Sequence, residues 1–152
     1  MKMGKEIEIN TGLEGFVMLD SIREVTASHI VGTRSLSGVP VYLGLESLAQ
    51  LGAYHIRHIT DFSRHVFLIK IIQCRLPRGN IKDGEYVLTG DLLGQSTASF
   101  HCRLKAERKR IIVMEGEFLY AAVDYDHNFQ SARLRHHYAK VFSCLQRDIK
   151  KD

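Results

Sequence analysis

The longest hydrophobic pattern in the chain runs from Val39 to Thr60 and predicts one long helix. Apolar residues recur there at the three-and-four spacing of a buried helical stripe, at Leu45, Leu48, Ala49, Ala53, Ile56 and Ile59. Leu43, Leu51 and Tyr54 extend the apolar surface of its first half to almost every side. A helix that is apolar all round is stable only when it is enclosed. We therefore expect the rest of the chain to wrap around this helix.

Two strands are predicted before the helix. Gly15 to Val25 and Ser28 to Leu36 are rich in β-branched and aromatic residues, and the short link between them favours a hairpin. Pro40 suits the first turn of the helix, where a missing N–H removes no hydrogen bond. Residues 1–14 are expected to be an irregular lead-in.

Four further strands are predicted after the helix, at residues 65–76, 85–93, 97–105 and 109–123. The first of them, His65 to Leu76, is apolar on both faces, which is typical of a central strand. The turns between the last three are short, so an antiparallel meander is the simplest topology. A bulge or bend is expected near Gly116.

The end of the chain predicts an amphipathic helix. After a polar connector at residues 124–130, apolar residues return at helical spacing, at Leu134, Tyr138, Val141, Phe142, Leu145 and Ile149. We therefore divide the chain into a main domain, residues 1–130, and a basic C-terminal helix, residues 131–152.

Charge separates these two parts as well. The 152 residues carry a net charge of +4, and the last 22 residues hold six Lys and Arg against two Asp, which accounts for all of the excess. This basic face either binds an acidic partner or is simply solvated while the apolar stripe packs on the domain or on a second subunit. We expect the second arrangement, and we do not expect nucleic acid as a partner.

The composition excludes several classes of protein. No run of about 18 apolar residues is long enough to cross a bilayer, and residues 1–10 lack the apolar core of a signal peptide. We therefore expect a cytoplasmic protein with no membrane contact. The three cysteines are isolated, which indicates buried thiols and no disulfide framework or zinc site.

One carboxylate stands out within the helix. Glu46 lies among Leu43, Leu45 and Leu48, and an ionised carboxylate in apolar surroundings is costly unless it is paired or neutralised. Such a group can act as a general acid or base near neutral pH. Alternatively, the backbone amides of the first helical turn hold it. Gln50, one turn further on the same face, can orient it or serve as an ordinary polar position.

The helix start resembles a known family. Residues 40–50 (Pro-Val-Tyr-Leu-Gly-Leu-Glu-Ser-Leu-Ala-Gln) are similar to the helix-start signature of the hotdog-fold 3-hydroxyacyl-(acyl-carrier-protein) dehydratases, in which a Glu is followed four residues on by Gln. Residues 16–22 resemble the first strand of that family, and Cys74 to Arg78 with Asp83-Gly84 resembles the loop before its meander. The resemblance spans roughly residues 15–123 and implies an α+β hotdog fold, with a long central helix wrapped by an antiparallel sheet.

The resemblance also implies a function. The substrate would be an acyl thioester on acyl carrier protein or coenzyme A, in fatty-acid-type metabolism, and the enzyme a lyase that forms homodimers or higher oligomers of dimers. Glu46 would be the catalytic residue. Substrate would be bound by Gln50 and by the free N–H groups at the helix start, at Val41, Tyr42 and Leu43, which can hold the thioester carbonyl oxygen. No cofactor and no metal are expected.

The chain departs from the family at the second catalytic residue, which is a His before the helix. The segment from Ser35 to Val39 has no His, and counting back from Glu46 without gaps places Gly32 at that position. His29 is the nearest imidazole in sequence. Three functions therefore remain open: a dehydratase that recruits another proton carrier, a thioesterase that needs only one carboxylate, and a non-catalytic acyl-binding subunit that pairs with an active homologue.

Histidines near the end of the helix raise a metal-site hypothesis. His55 and His58 are three residues apart, and His65 follows. Zinc sites need a further ligand at fixed geometry, and the interleaved Arg57 would repel a cation. We therefore expect a solvated helix end.

Overall fold

A computed structural model describes residues 17–125 and 131–150, with the side chains of the last helix described at 132–146. The elements in chain order are β1 (Ser21–Val25), β2 (His29–Leu36), α1 (Val41–Ile59), β3 (Arg64–Arg75), β4 (Gly84–Gln95), β5 (Ser99–Arg108), β6 (Ile111–Asp124) and α2 (Ser131–Lys150). The predicted lead-in, most of the predicted connector and the side chain of Ile149 lie outside the described residues.

The strands form one antiparallel six-stranded sheet in the order β1-β2-β4-β5-β6-β3. The predicted meander is present only as β4-β5-β6. The chain crosses from β2 to β3 through α1, which places β3 at the far edge of the sheet, beside β6. α1 crosses one face of the sheet and contacts β2, β3, β4, β5 and β6. The predicted helix wrapped by an antiparallel sheet is therefore confirmed.

The prediction that β3 is a central strand is wrong. β3 pairs only with β6, and its outer edge is free in the described chain. Phe67 is 44% exposed and Ile69 is 52% exposed. Hydrophobicity on both faces does not distinguish a strand covered by its own domain from an edge strand.

The bulge expected near Gly116 is present on β6, where Val113 is an extra residue between the pairs Ala106↔Met114 and Glu107↔Ile112. A second bulge lies on the opposite strand. Gly116 pairs regularly with Leu104, whereas the register of β3 shifts between Ile72 and Arg75, where Gln73 has a φ of 49°. A Cβ at Gly116 would lie 3.2 Å from Cys74. The glycine therefore leaves room for the bulge on its neighbour.

Glycines let α1 lie close to the sheet. At Gly44 a Cβ would overlap the tips of Ile81 and Met114, and at Gly52 it would overlap the hydroxyl of Tyr120. The close contact of the helix backbone with the sheet therefore depends on having glycine at these two positions. This close contact buries the core, which includes Leu48, Leu51, Ile56, Leu88, Leu104, Phe118 and Tyr120.

The C-terminal helix packs on the domain, as its stripe predicts. Phe142 and Leu145 are buried, α2 contacts β1, and Phe142 lies 6.2 Å from the Tyr54 ring and 5.4 Å from the His58 ring of α1. On its outer side Arg135 pairs with Asp61. α2 thereby covers the C-terminal end of α1.

Candidate functional site

A cleft of about 270 Å³ runs along one side of α1. Its helix wall carries Glu46, Ala49, Gln50, Ala53, Tyr54 and Arg57, and the rest of the lining is Val17, Val66, Phe67, Leu68, Tyr120, His137 and Tyr138. The helix residues recur at three-and-four spacing, which places them on one face. The cleft thus joins α1, the edge strand β3 and α2.

Glu46 lies at the exposed end of this cleft and is held by its neighbour. The Nε2 atom of Gln50 donates a hydrogen bond to Glu46 Oε2 at 3.1 Å, and Gln50 Oε1 accepts one from the Met18 backbone N–H at 2.8 Å. Gln50 therefore links the carboxylate to the segment before β1. This contact fits the orienting role that the i and i+4 spacing suggested.

The expectation that Glu46 sits in apolar surroundings is wrong. Its side chain is exposed, and Leu45 beside it is only half-buried. The apolar residues near it in sequence point to other sides of the helix, with Leu48 fully buried against the sheet. Glu46 therefore faces water as well as the cleft.

The far end of the cleft holds a buried cation. Arg57 is 8% exposed, and its guanidinium carbon lies 3.9 Å from the ring centroid of Tyr138 and 5.0 Å from that of Tyr54. Burial raises the pKa of Tyr54 to about 12, so its phenol stays protonated. The sequence identified Arg57 only as a charge at a helix end. The sequence feature that could have indicated its environment was the pair of aromatic residues Tyr54, one turn before it, and Tyr138 on the C-terminal helix.

Tyr120 forms part of the cleft floor. Its hydroxyl donates to the Ala49 carbonyl oxygen at 2.6 Å, and burial raises its pKa well above the ordinary value of 10. It is therefore a neutral donor that is already committed to the helix backbone.

The helix start lies outside the lining of this cleft. The Leu43 N–H donates to Pro40 O at 3.1 Å, Val41 is half-buried, and Tyr42 is 66% exposed. The structure brings Gln50 to Glu46 but leaves these three residues about one turn before the carboxylate. Binding of a substrate carbonyl by Val41 and Tyr42 remains a prediction.

No imidazole replaces the expected His beside Glu46 at the two positions considered from sequence. His29 Nδ1 lies 2.7 Å from Asp91 Oδ1, and this pair is not part of the cleft. At Gly32 a Cβ would lie 2.8 Å from Ser21 O and 3.0 Å from Leu51 Cδ1. The space that a side chain would need there is filled by the contact between helix and sheet.

Two histidines of the metal-site hypothesis, His55 and His58, make contacts within the fold. His55 Nε2 lies 2.9 Å from Thr26 O, so the ring donates to this carbonyl, and His58 stacks on Phe142. In residues 17–125 and 131–150 no group of three or more His, Cys, Asp or Glu could hold a metal ion.

The three cysteines are thiols outside any disulfide. Cys102 is buried and burial raises the pKa of its thiol to about 12, while Cys74 and Cys144 are half-buried. Burial also raises the pKa of Cys74. These changes favour the unreactive thiol over the nucleophilic thiolate.

Neither helix, over the residues described, is long and apolar enough to cross a membrane.

Comparison with known proteins identifies the fold. No family model and no curated protein matches the sequence. A thioesterase from Pseudomonas aeruginosa is 8% identical with a TM-score of 0.64, over 78% of this chain and 89% of that one. A hypothetical thioesterase from Streptococcus pneumoniae, solved with coenzyme A, is 10% identical with a TM-score of 0.58, over 68% and 85%. A dehydratase heterocomplex from Xenorhabdus doucetiae is 13% identical with a TM-score of 0.61, over 74% and 86%.

These neighbours are named for two different activities, and a shared fold does not fix which of them a protein performs. They do not single out the dehydratases that the helix start resembles. At identities this low they show architecture alone, and the chain has the predicted α+β hotdog fold with an added C-terminal helix.

Proposed function

We propose that this protein hydrolyses acyl thioesters of coenzyme A or acyl carrier protein, with Glu46 as the general base. The observation that carries the proposal is the place of Glu46, a water-exposed carboxylate at the open end of a largely apolar cleft, with Gln50 bonded to one oxygen. Such a cleft suits an acyl chain, and such a carboxylate can activate water beside it.

In this mechanism the thioester carbonyl lies next to Glu46. The carboxylate takes a proton from a water molecule while the water oxygen adds to the carbonyl carbon. The tetrahedral adduct then collapses, the C–S bond breaks, and the thiolate takes up the proton. The products are a carboxylic acid and a free thiol. Val41 and Tyr42 are the proposed N–H donors to the carbonyl oxygen.

Hydrolysis fits the cleft better than dehydration, although the sequence resemblance points first to a dehydratase. Removal of water from a 3-hydroxyacyl group needs one group to take the Cα proton and another to protonate the leaving hydroxyl. Gly32 leaves no room for the second group, and His29 is paired with Asp91. The names of the Pseudomonas and Streptococcus neighbours support the same choice.

The test is thiol release from a panel of acyl-CoA esters. We expect turnover by the wild type and a loss of at least about 100-fold in kcat for Glu46→Gln, since general base catalysis contributes roughly 10²–10⁴-fold. Glu85→Gln is the matched control, an exposed carboxylate that pairs with Arg23 on the sheet. Equal rates for wild type and Glu46→Gln would reject the mechanism.

A dehydratase is the second candidate, and the Glu46 and Gln50 spacing in the dehydratase-like helix start favours it. A partner chain would then supply the missing proton carrier, and the dehydratase neighbour is itself described as a heterocomplex. Double-bond formation in a 3-hydroxyacyl thioester without thiol release would identify this activity. Turnover that requires a His-bearing homologue and survives Glu46→Ala would instead identify a non-catalytic acyl-binding subunit.

We also propose that two copies of the chain associate through β3. The strand is 12 residues long, its outer edge pairs with no strand of the described residues, and it carries exposed apolar side chains, among them Phe67, Leu68 and Ile69. Long apolar edge strands pair with other chains unless they are covered. Because Phe67 and Leu68 also line the cleft, the second copy would lie beside it. Light scattering should give twice the mass of one chain, and Ile69→Glu should reduce it to one.

A further inference from the structure

The guanidinium of Arg57 has fewer hydrogen-bond partners than its burial requires. An arginine side chain has five N–H donors. Here Nη2 donates a long hydrogen bond of 3.4 Å to Val66 O, and Nε, which is buried, has no partner among the described residues. No carboxylate of the described chain lies within ion-pair distance of Arg57.

A buried cation of this kind is costly unless something neutralises it. The rings of Tyr54 and Tyr138 fix the guanidinium in place, and cation–π contacts offset part of the cost. They do not give Nε a hydrogen-bond partner, since a ring face does not accept an N–H in the way that a carboxylate does. The charge therefore remains available to an anion that enters the cleft.

Arg57 lies at the opposite end of the cleft from Glu46. The two residues are eleven positions apart on one face of α1, about 16 Å along the axis at a rise of about 1.5 Å per residue. The guanidinium lies over the ring of Tyr54, a residue three positions nearer to Glu46 along the helix. Between them the helix wall is formed by Ala49 and Ala53, which are small and apolar.

The two ends also differ in access. Glu46 is exposed, whereas Arg57 is 8% exposed, and His137 and Tyr138 of α2 close the cleft around it. A bulky coenzyme or carrier protein fits only at the Glu46 end. What reaches Arg57 is the tail of the acyl group.

We propose that the cleft selects short acyl thioesters whose far end carries a carboxylate, and that Arg57 is the residue that determines this specificity. The inference rests on the proposed acyl-thioester function and adds the class of acyl group. Two parallel N–H···O bonds from Arg57 to the distal carboxylate would neutralise a buried charge that no carboxylate of the described chain pairs. The volume of about 270 Å³ is at the small end for ligand pockets, which favours a short chain.

The test compares adipoyl-CoA with hexanoyl-CoA, which have six-carbon acyl groups and differ in the terminal carboxylate. Wild type should prefer adipoyl-CoA by about tenfold to a hundredfold in kcat/KM, the range for a charged hydrogen-bonded pair. Arg57→Gln should bring the ratio of the two kcat/KM values to about one. Arg57→Lys, which keeps the charge without the two-pronged geometry, should give an intermediate ratio. Arg103→Gln, on the solvent side of β5, should keep the wild-type ratio.

Equilibrium binding to the Glu46→Gln protein separates the failure of this inference from the failure of the proposed function. If neither ester is hydrolysed by wild type but adipoyl-CoA still binds more tightly in an Arg57-dependent way, hydrolysis is rejected and the specificity stands. If both are hydrolysed and hexanoyl-CoA is preferred, the specificity is rejected. Coenzyme A without an acyl group should bind equally to the proteins with and without Arg57→Gln. A loss with this probe as large as that with adipoyl-CoA would show a phosphate contact and reject the proposal.

Discussion

The hydroxyl of Tyr120 on β6 donates a hydrogen bond of 2.6 Å to the carbonyl oxygen of Ala49, in the middle of α1. Side chains of a sheet seldom reach the backbone of a helix packed on it, because side chains of the helix stand between them. Here the contact is possible because Gly52 has no side chain and Ala49 has a small one. The bond fixes the distance between β6 and α1 where Tyr120 lines the cleft near Glu46 and Gln50.

Removing this hydrogen bond should destabilise the protein. Tyr120→Phe is expected to lower the free energy of unfolding by about 1 kcal/mol, a typical net value for one buried hydrogen bond. Urea denaturation measures the change. Tyr42→Phe is the control, since Tyr42 is 66% exposed, and its change should stay within about 0.5 kcal/mol. Equal effects of the two variants would contradict the structural role of the bond.

Gly52→Ala tests the close contact from the other side. Helix propensity alone predicts a gain of about 1 kcal/mol for Gly to Ala inside a helix. At this position a Cβ would overlap the Tyr120 hydroxyl and lie 3.0 Å from Leu104 Cδ1. We therefore expect a net loss of about 1–3 kcal/mol, as for other overpacked cores. Gly94→Ala, where no atom lies within 4 Å of the new Cβ, is the control for thermal unfolding.

Gln50→Leu should separate the positioning of Glu46 from its chemistry. The substitution removes the bonds that hold the carboxylate to the Met18 backbone. A misplaced catalytic group loses rate even when it is chemically intact. We expect kcat for thioester hydrolysis to fall by about tenfold to a hundredfold. Gln95→Leu, at the exposed end of β4, should leave kcat as it is.

The buried His55 should make the folded protein less stable in mild acid. Burial is the main cause that lowers its pKa below the ordinary 6.5, and the charges of His58 and His29 act in the same direction. The hydrogen bond to Thr26 and the charge of Asp91 oppose them. Because the unfolded chain protonates this ring first, the folded state loses stability as the pH falls below 6.5. The loss ends once the pH is below the lowered value in the folded protein.

The measurement is the free energy of unfolding between pH 7.5 and about 5. His55→Gln should show a shallower decline than wild type over this interval. His136→Gln, an exposed ring on α2, should follow the wild-type slope. Parallel curves for all three proteins would mean that His55 does not titrate differently on unfolding.

The hairpin between β5 and β6 offers a stabilising change. Its two loop residues, Lys109 and Arg110, have φ of 53° and 68°, the left-handed conformation that type I′ turns require. Asn and Gly adopt it most readily, so Lys109→Asn with Arg110→Gly should raise the free energy of unfolding by about 1 kcal/mol. The same pair placed at Lys82 and Asp83, in the loop before β4, should not reproduce the gain in melting temperature.

Periodicity was sufficient to predict α1 closely. The helix spans Val41–Ile59 within the predicted Val39 to Thr60, and Phe142 and Leu145 of the C-terminal stripe are buried as expected. It failed for β3, because a run such as Phe67 to Ile72 is apolar on both faces whether its neighbour is the same chain or another. Pairing of β3 with β6 joins residues 40 to 60 positions apart, from Arg75 with Glu115 to Arg64 with Asp124, and a local pattern carries no information on such partners.

The candidate site was half predictable. Spacing placed Glu46 and Gln50 on one face, and the structure brings them together. Arg57 was not recognised, because the Tyr138 ring nearest to its guanidinium comes from α2, whose packing angle the sequence does not specify. The exposure of Glu46 could not be predicted either, since a helix with a wide apolar surface gives no indication of which side the sheet leaves accessible to water.

The packing at Gly32 limits which substitutions this protein can accept during evolution. One substitution there cannot introduce an imidazole, because Ser21 O and Leu51 Cδ1 already occupy the required space. A variant with His at this position would need β1 to shift at Ser21 as well as a smaller residue at 51. The smaller residue would cost buried volume in the core before any proton carrier was gained. A loss of folding stability therefore opposes the addition of a catalytic His at position 32 to a site that has Glu46 as its carboxylate. A proton carrier supplied by another chain would not carry this cost.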